Sequence, residues 1–118
     1  VSRDFIAQHY LTVPDCGPEN ELHSHHFELE VIVRGEDLDS YGYLVDITTV
    51  EDAVDNIVDK FEDVTLNNTP EFEELNPSIE HFARIAYLQI YDHLPTERLS
   101  HVTVRIWEDD HAWASYTN

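Results

Sequence analysis

Lysine occurs once in this chain of 118 residues, at Lys60, and Lys and Arg together number 6 against 25 Asp and Glu, a net charge of −19. So little basic charge excludes non-specific association with nucleic acid or an anionic lipid surface, both of which depend on a cationic footprint. Cysteine also occurs once, at Cys16. An internal disulfide is therefore excluded, which fits a reducing, cytoplasmic compartment. No apolar run is long enough to span a bilayer, and no signal-peptide pattern opens the chain. Internal repeats, low-complexity tracts and linkers are absent too, so residues 1–118 are read as one domain with a single core.

The excess of acid raises the question of disorder, since self-repulsion opposes compaction. A hydrophobic content of 42% in regular patterns answers it. A solvated acidic surface with almost no lysine is what a protein of a high-salt cytoplasm needs, because concentrated salt screens the repulsion over a few ångströms. A halophilic source is the expectation; an acidic partner-binding protein is the alternative, and unfolding at low salt separates them.

Residues 4–13, DFIAQHYLTV, alternate so that Phe5, Ala7, His9, Leu11 and Val13 share one face of a strand. A turn-rich connection, Asp15 to Asn20, follows. Alternation resumes with Phe27, Leu29, Val31 and Val33 on one face, and counting backward puts His25 and His23 in the same apolar phase, with His26 opposite. Apolar residues at 50, 53, 54, 57, 58 and 61 have helical spacing, with Thr49 as the expected N-cap and Asp52 in the first turn. A second helix is expected to open at Asn76, with Pro77 in its first turn and Ile79, Phe82, Ala83, Ala86 and Ile90 buried, and to end before Pro95. Residues 101–107, HVTVRIW, alternate again, and AWASY supplies a fourth strand across the DDH turn. The order β-β-α-α-β-β predicts an α+β fold with an antiparallel sheet covered by helices on one face.

The histidines in the segment NELHSHHF carry the chemistry. Strand residues two apart point the same way, so His23 and His25 can converge on one ion while His9 reaches it from the neighbouring strand. One inward histidine is ordinarily a satisfied core residue, but three in one phase are hard to bury without a common partner. Three neutral imidazoles with a fourth position open form the donor set of a catalytic zinc site, and nitrogen-only ligation favours Zn2+ over iron, nickel or copper. Glu108 continues the phase of Val102, Val104 and Ile106, so its carboxylate is expected to face inward. It needs a donor: either an arginine such as Arg105 of another subunit, or the guanidine-like edge of a ligand, which gives a carboxylate two parallel N–H bonds.

In this order and spacing the motifs resemble the 6-pyruvoyl-tetrahydropterin and 6-carboxytetrahydropterin synthases. FIAQH resembles the family's FxAxH, LHSHHF its LHGHxY, YGYLVDITTVEDAV its glycine, Asp and first helix, TLNN its LN turn, NPSIEHFA the start of its second helix, and VTVRIWED its last strand ending in glutamate. The resemblance implies a T-fold whose protomers associate into a trimeric barrel and then a hexamer, with sites at subunit interfaces. It further implies zinc held by His9, His23 and His25, the pterin ring anchored by Glu108, and substrate contacts from Ser78 and Glu80. These last two serve equally well as an N-cap and a first-turn acid. The implied substrate is dihydroneopterin triphosphate, and the implied outcomes are 6-carboxytetrahydropterin, 6-pyruvoyltetrahydropterin, or cleavage of the side chain to 6-hydroxymethyldihydropterin.

Several positions depart from the family pattern. The family's catalytic cysteine lies four to six places before the first histidine of HxH; Cys16 lies seven before His23. Glu19 stands four before it, where some relatives that cleave the side chain carry glutamate. Cys16 and Glu19 are thus both candidates for the general base. Glu62 and Asp63 replace the Asp-His pair before the LN turn, which leaves Asp63 at the relay position, and Ser24 replaces the glycine of HGH. Two other function classes stay open: a catalytically inactive zinc-containing T-fold protein that binds a pterin or purine-like ligand, and an unrelated metal-binding β-domain.

Overall fold

A computed structural model describes all 118 residues. The chain runs β1 (Ser2–His9), β2 (His23–Arg34), α1 (Ile47–Phe61), α2 (Ile79–Tyr91), β3 (His101–Trp107) and β4 (Trp113–Thr117). The four strands form one antiparallel sheet in the order β1-β2-β3-β4, and both helices cover one of its faces. This is the expected β-β-α-α-β-β order. No helix is long and apolar enough to cross a membrane.

The core lies between sheet and helices. Phe5 and Ala7 of β1, Phe27, Leu29 and Val31 of β2, and Val102, Val104 and Ile106 of β3 are buried on the inner face, as strand alternation requires. Phe82 of α2 is the hub: its ring centroid lies 6.0, 5.5, 5.1 and 5.6 Å from those of Phe5, Phe27, Phe61 and Phe72. Such edge-to-face pairs add to the free energy of burial itself.

Three element boundaries differ from expectation. α1 is capped by Asp46, whose carboxylate accepts from the Thr48 N–H at 2.9 Å, and not by Thr49. The buried stripe begins only at Val50, because Ile47 in the first turn is exposed, so periodicity reports the helix one turn late. α2 starts at Ile79 with Ser78 as N-cap, its hydroxyl accepting from the His81 N–H at 3.2 Å. Asn76 is occupied outside the helix, where its side chain accepts from the Thr12 N–H at 2.9 Å and its carbonyl from the His81 ring at 2.8 Å. β1 stops at His9, opposite the first residue of β2, and Leu11 and Val13 leave the sheet although their alternation continues.

Candidate metal centre and ligand cavity

The ladder of β1 and β2 pairs Phe5 with Phe27, Ala7 with His25 and His9 with His23, so one register carries the inner face from the core into a histidine cluster. His9, His23 and His25 each offer a ring nitrogen within 4.8 Å of the other two, and the centroids of the three rings lie 4.6, 5.0 and 4.9 Å apart. His26, in the opposite phase, bonds Asp4 at 2.8 Å outside the cluster.

Two backbone carbonyls orient the imidazoles. The Nδ1–H of His9 donates to the Pro77 carbonyl at 2.9 Å, and that of His23 to the Glu21 carbonyl at 2.8 Å. Each bond fixes the tautomer and leaves Nε2 free as a donor to an ion, the outer-shell arrangement usual for metal-binding histidine. Nε2 of His23 and Nε2 of His25 face each other at 3.1 Å. Two nitrogens on a tetrahedral ion at Zn–N of about 2.0–2.1 Å would lie about 3.3 Å apart, so the donor set fits zinc. Burial pushes the His9 imidazolium down from its ordinary pKa, the Pro77 carbonyl opposes this, and the two neighbouring imidazoles add to it. A neutral His9 is the ligand-competent form.

A cavity of about 190 Å³ opens on the cluster. Its wall comprises His9 and His25, Leu11 and Glu19 from the connection between β1 and β2, Ser78, Ile79 and Glu80 from the start of α2, and Glu108 from the end of β3. A wider cavity of about 660 Å³ shares His25 and Glu108 and continues past Trp107, Asp109 and Asp110. No Lys or Arg lines either one.

Glu108 stands at the junction of the two. The turn after it is tied by Asp109, whose carboxylate accepts from the N–H groups of His111 and Ala112 at 2.7 Å and is held below its usual pKa by them. Burial raises the Glu108 carboxyl above the ordinary carboxylate range; His25 opposes this, while Asp109, Glu19 and Glu80 reinforce it. Arg105 is engaged on the other face of the sheet, 3.1 Å from Glu30 and 4.2 Å over the Trp113 ring. Glu108 thus has no cationic partner in its own chain and remains available to a ligand's N–H edge.

The other candidates fall on both sides of the cavity wall. Glu19, Ser78 and Glu80 line it. Cys16, half-buried, lies outside both cavities, with its N–H donating to Asn20 at 3.0 Å. Asp63 is exposed beside the outer edge of β1, where its N–H donates to the Ile6 carbonyl at 2.7 Å, and it too lies outside both cavities. Leu11 and Ile79 are wall residues that strand and helix counting assigned to the core.

A family model described as 6-pyruvoyl tetrahydropterin synthase matches residues 1–118. The dihydroneopterin monophosphate aldolase of Pyrococcus furiosus is 33% identical over 91 residues, covering 77% of this chain and 72% of that protein. Among solved structures, the 6-pyruvoyl tetrahydropterin synthase of Caenorhabditis elegans superposes with a TM-score of 0.83 at 20% identity, covering 100% of this chain and 92% of that one. A catalytic-residue mutant of the Plasmodium vivax enzyme gives 0.83 at 13% identity, covering 100% and 94%. The four-stranded sheet with its two helices is the T-fold unit.

Proposed function

The chain belongs to the 6-pyruvoyl tetrahydropterin synthase family, and from that premise we propose that it is a zinc-dependent enzyme that cleaves the side chain of a dihydroneopterin or its phosphate ester to give 6-hydroxymethyldihydropterin. The observation that carries this reading is the three-imidazole cluster, which opens through His9 and His25 on a cavity that Glu19 and Glu108 also line. His9, His23 and His25 would hold the ion; zinc supplies Lewis acidity toward a side-chain hydroxyl.

Glu108 accepts from the N–H edge of the pterin ring and fixes it beside the imidazoles. Glu19 is the general base: it takes the proton of the outer of the two side-chain hydroxyls that flank the breaking bond. The carbon–carbon bond one position out from the ring then breaks, an aldehyde leaves, and the ring-proximal carbon regains a proton as a hydroxymethyl group. Ser78 and Glu80 complete the cavity wall and contact the substrate.

Three features support cleavage over the two synthase outcomes. Glu19 lines the cavity and Cys16 does not. The relative from Pyrococcus furiosus is named as an aldolase. The part of the wall that this chain supplies carries carboxylates and no Lys or Arg to stabilise departing triphosphate, and cleavage requires no phosphate to leave. Self-association into a trimer or hexamer belongs to the same reading, because Asp63, at the relay position, lies outside its own protomer's cavity and would act in that of a neighbour.

Incubation with dihydroneopterin, its monophosphate and its triphosphate, with products identified by mass spectrometry, tests the proposal. The expected product is 6-hydroxymethyldihydropterin; Glu19→Gln lowers kcat by about 10²–10⁴-fold, and Cys16→Ala leaves activity and zinc content in place. A 6-carboxy or 6-pyruvoyl product, or an inactive Cys16→Ala, overturns it. Pterin affinity without turnover of any substrate establishes the inactive ligand-binding protein instead.

A further inference from the structure

Beyond His9 the chain leaves the sheet, and three asparagine side chains take over the backbone partners that a strand would have supplied. Asn67 accepts from the Tyr10 N–H at 3.0 Å and donates to its carbonyl at 2.9 Å. Asn76 accepts from the N–H and hydroxyl of Thr12 at 2.9 and 3.2 Å. Asn20 donates to the carbonyls of Leu11 and Val13 at 3.0 and 2.8 Å and accepts from the Cys16 N–H at 3.0 Å.

Asn20 differs from the other two in what it is joined to. It follows Glu19 in the chain, and the Leu11 N–H donates to the Glu19 carbonyl at 2.8 Å. Both backbone groups of Leu11 are therefore spent on residues 19 and 20, a two-way clasp like one rung of a strand pair. Leu11 and Glu19 both line the same cavity. The amide uses both N–H donors and its oxygen, so both polar atoms of the Asn20 side chain are committed to holding this connection.

We propose that Asn20 is a positioning residue that sets the Glu19 carboxylate against the histidine cluster; this rests on the reading of Glu19 as the base. Only an amide serves the purpose. Aspartate has the same shape but would turn oxygen lone pairs toward two carbonyl oxygens, and the clasp would open. Zinc and pterin are held by other groups: the Pro77 and Glu21 carbonyls orient His9 and His23, and Glu108 belongs to a different strand end.

The test is a double-mutant cycle of Asn20→Asp and Glu19→Gln, read as kcat, KM for the dihydroneopterin substrate, and zinc content. Displacement of a reacting group by about 1 Å costs on the order of 10²-fold in rate. Asn20→Asp is expected to lower kcat by about that factor, with KM and zinc content unchanged, and to add no further loss once Glu19 is glutamine. A wild-type kcat in Asn20→Asp, loss of zinc, or an equal loss in the Glu19→Gln background overturns the inference while the base assignment survives. A fully active Glu19→Gln overturns both. Should Asn20→Asp fail to fold, Asn20→Ser, which removes the donors without adding charge, goes through the same cycle with the same criteria.

Discussion

On the inner face of the sheet the pair Phe5–Phe27 and the pair His9–His23 belong to one ladder of one register, two rungs of the same phase apart. The first pair is sealed under Phe82 in an aromatic cluster; at the second, His23 is only half-buried and the cluster borders a cavity. The difference is made by the element above them. The body of α2 covers the phenylalanines with side chains. The histidines lie under the chain just before that helix begins, where Pro77 offers a carbonyl and Ser78 a capping hydroxyl. A helix start is rich in unspent polar groups, and a helix body has none to offer. Placing the start of α2 over the end of the ladder turns the continuation of a hydrophobic face into a cavity bordered by imidazoles without any change in the strands.

If the two ends are separate in energy as well as in chemistry, substitutions should divide accordingly. The largest effect is expected at the dry end. Phe82→Ala removes the ring shared by four other phenylalanines and should destabilise the fold by about 3–5 kcal/mol. Denaturant unfolding measures this; an accompanying loss of zinc affinity in the protein that remains folded would mean that the ends are one unit.

At the wet end, Glu108→Gln should weaken pterin binding by about 1.5–3 kcal/mol, roughly 10–100-fold, by replacing a charged acceptor with a neutral one. The sign of the pH dependence follows from the raised Glu108 pKa. Ligand affinity requires the carboxylate, so it is full above the folded-state pKa and lost as pH falls through it, at a higher pH than an ordinary carboxyl would give. Folding stability runs the other way. A carboxyl that holds its proton more tightly when folded contributes stability below its unfolded pKa, and that contribution is lost as pH rises through the folded one. Titration across that range should show both trends in the wild type and neither in Glu108→Gln. A pH-independent affinity in the wild type would remove Glu108 from the ligand's N–H edge.

The smallest effect is expected away from both ends. Arg3 reaches Glu51 and Asp55 of α1 at 3.0 Å each, but all three side chains are well exposed. Arg3→Ala should leave the unfolding midpoint close to that of the wild type, and closer still in concentrated salt. A larger loss in an unfolding titration would mean that charge pairing holds the edge of the sheet more than packing does.

Much of this contrast was legible in the amino-acid order, and the part that was not has a physical reason. Alternation placed Phe5, Ala7, His9, His23, His25 and Phe27 on one face, and the structure keeps them there, because a side chain two residues along a strand has no choice of side. Alternation says nothing about whether a strand has a partner. It therefore ran β1 on through Leu11 and Val13, where no neighbouring strand exists and asparagine amides do the holding. The same blindness leaves Cys16 and Glu19 both as candidates: in a turn, distance along the chain does not fix which residue faces inward, and in the structure Glu19 lines the cavity while Cys16 does not. The cap of α1 was missed because its first turn exposes Ile47, and the cap of α2 because Asn76 and Pro77 look like a helix start while serving residues outside it.

The proposed site stands or falls on three imidazoles from two paired strands sharing one divalent ion. Zinc titration of the metal-stripped protein, with X-ray absorption at the metal edge, addresses it directly. One zinc per chain, three nitrogen ligands, no sulfur ligand and loss of the ion in His23→Ala are expected. Absence of stoichiometric zinc, a thiolate ligand from Cys16, or undiminished binding by His23→Ala would contradict it.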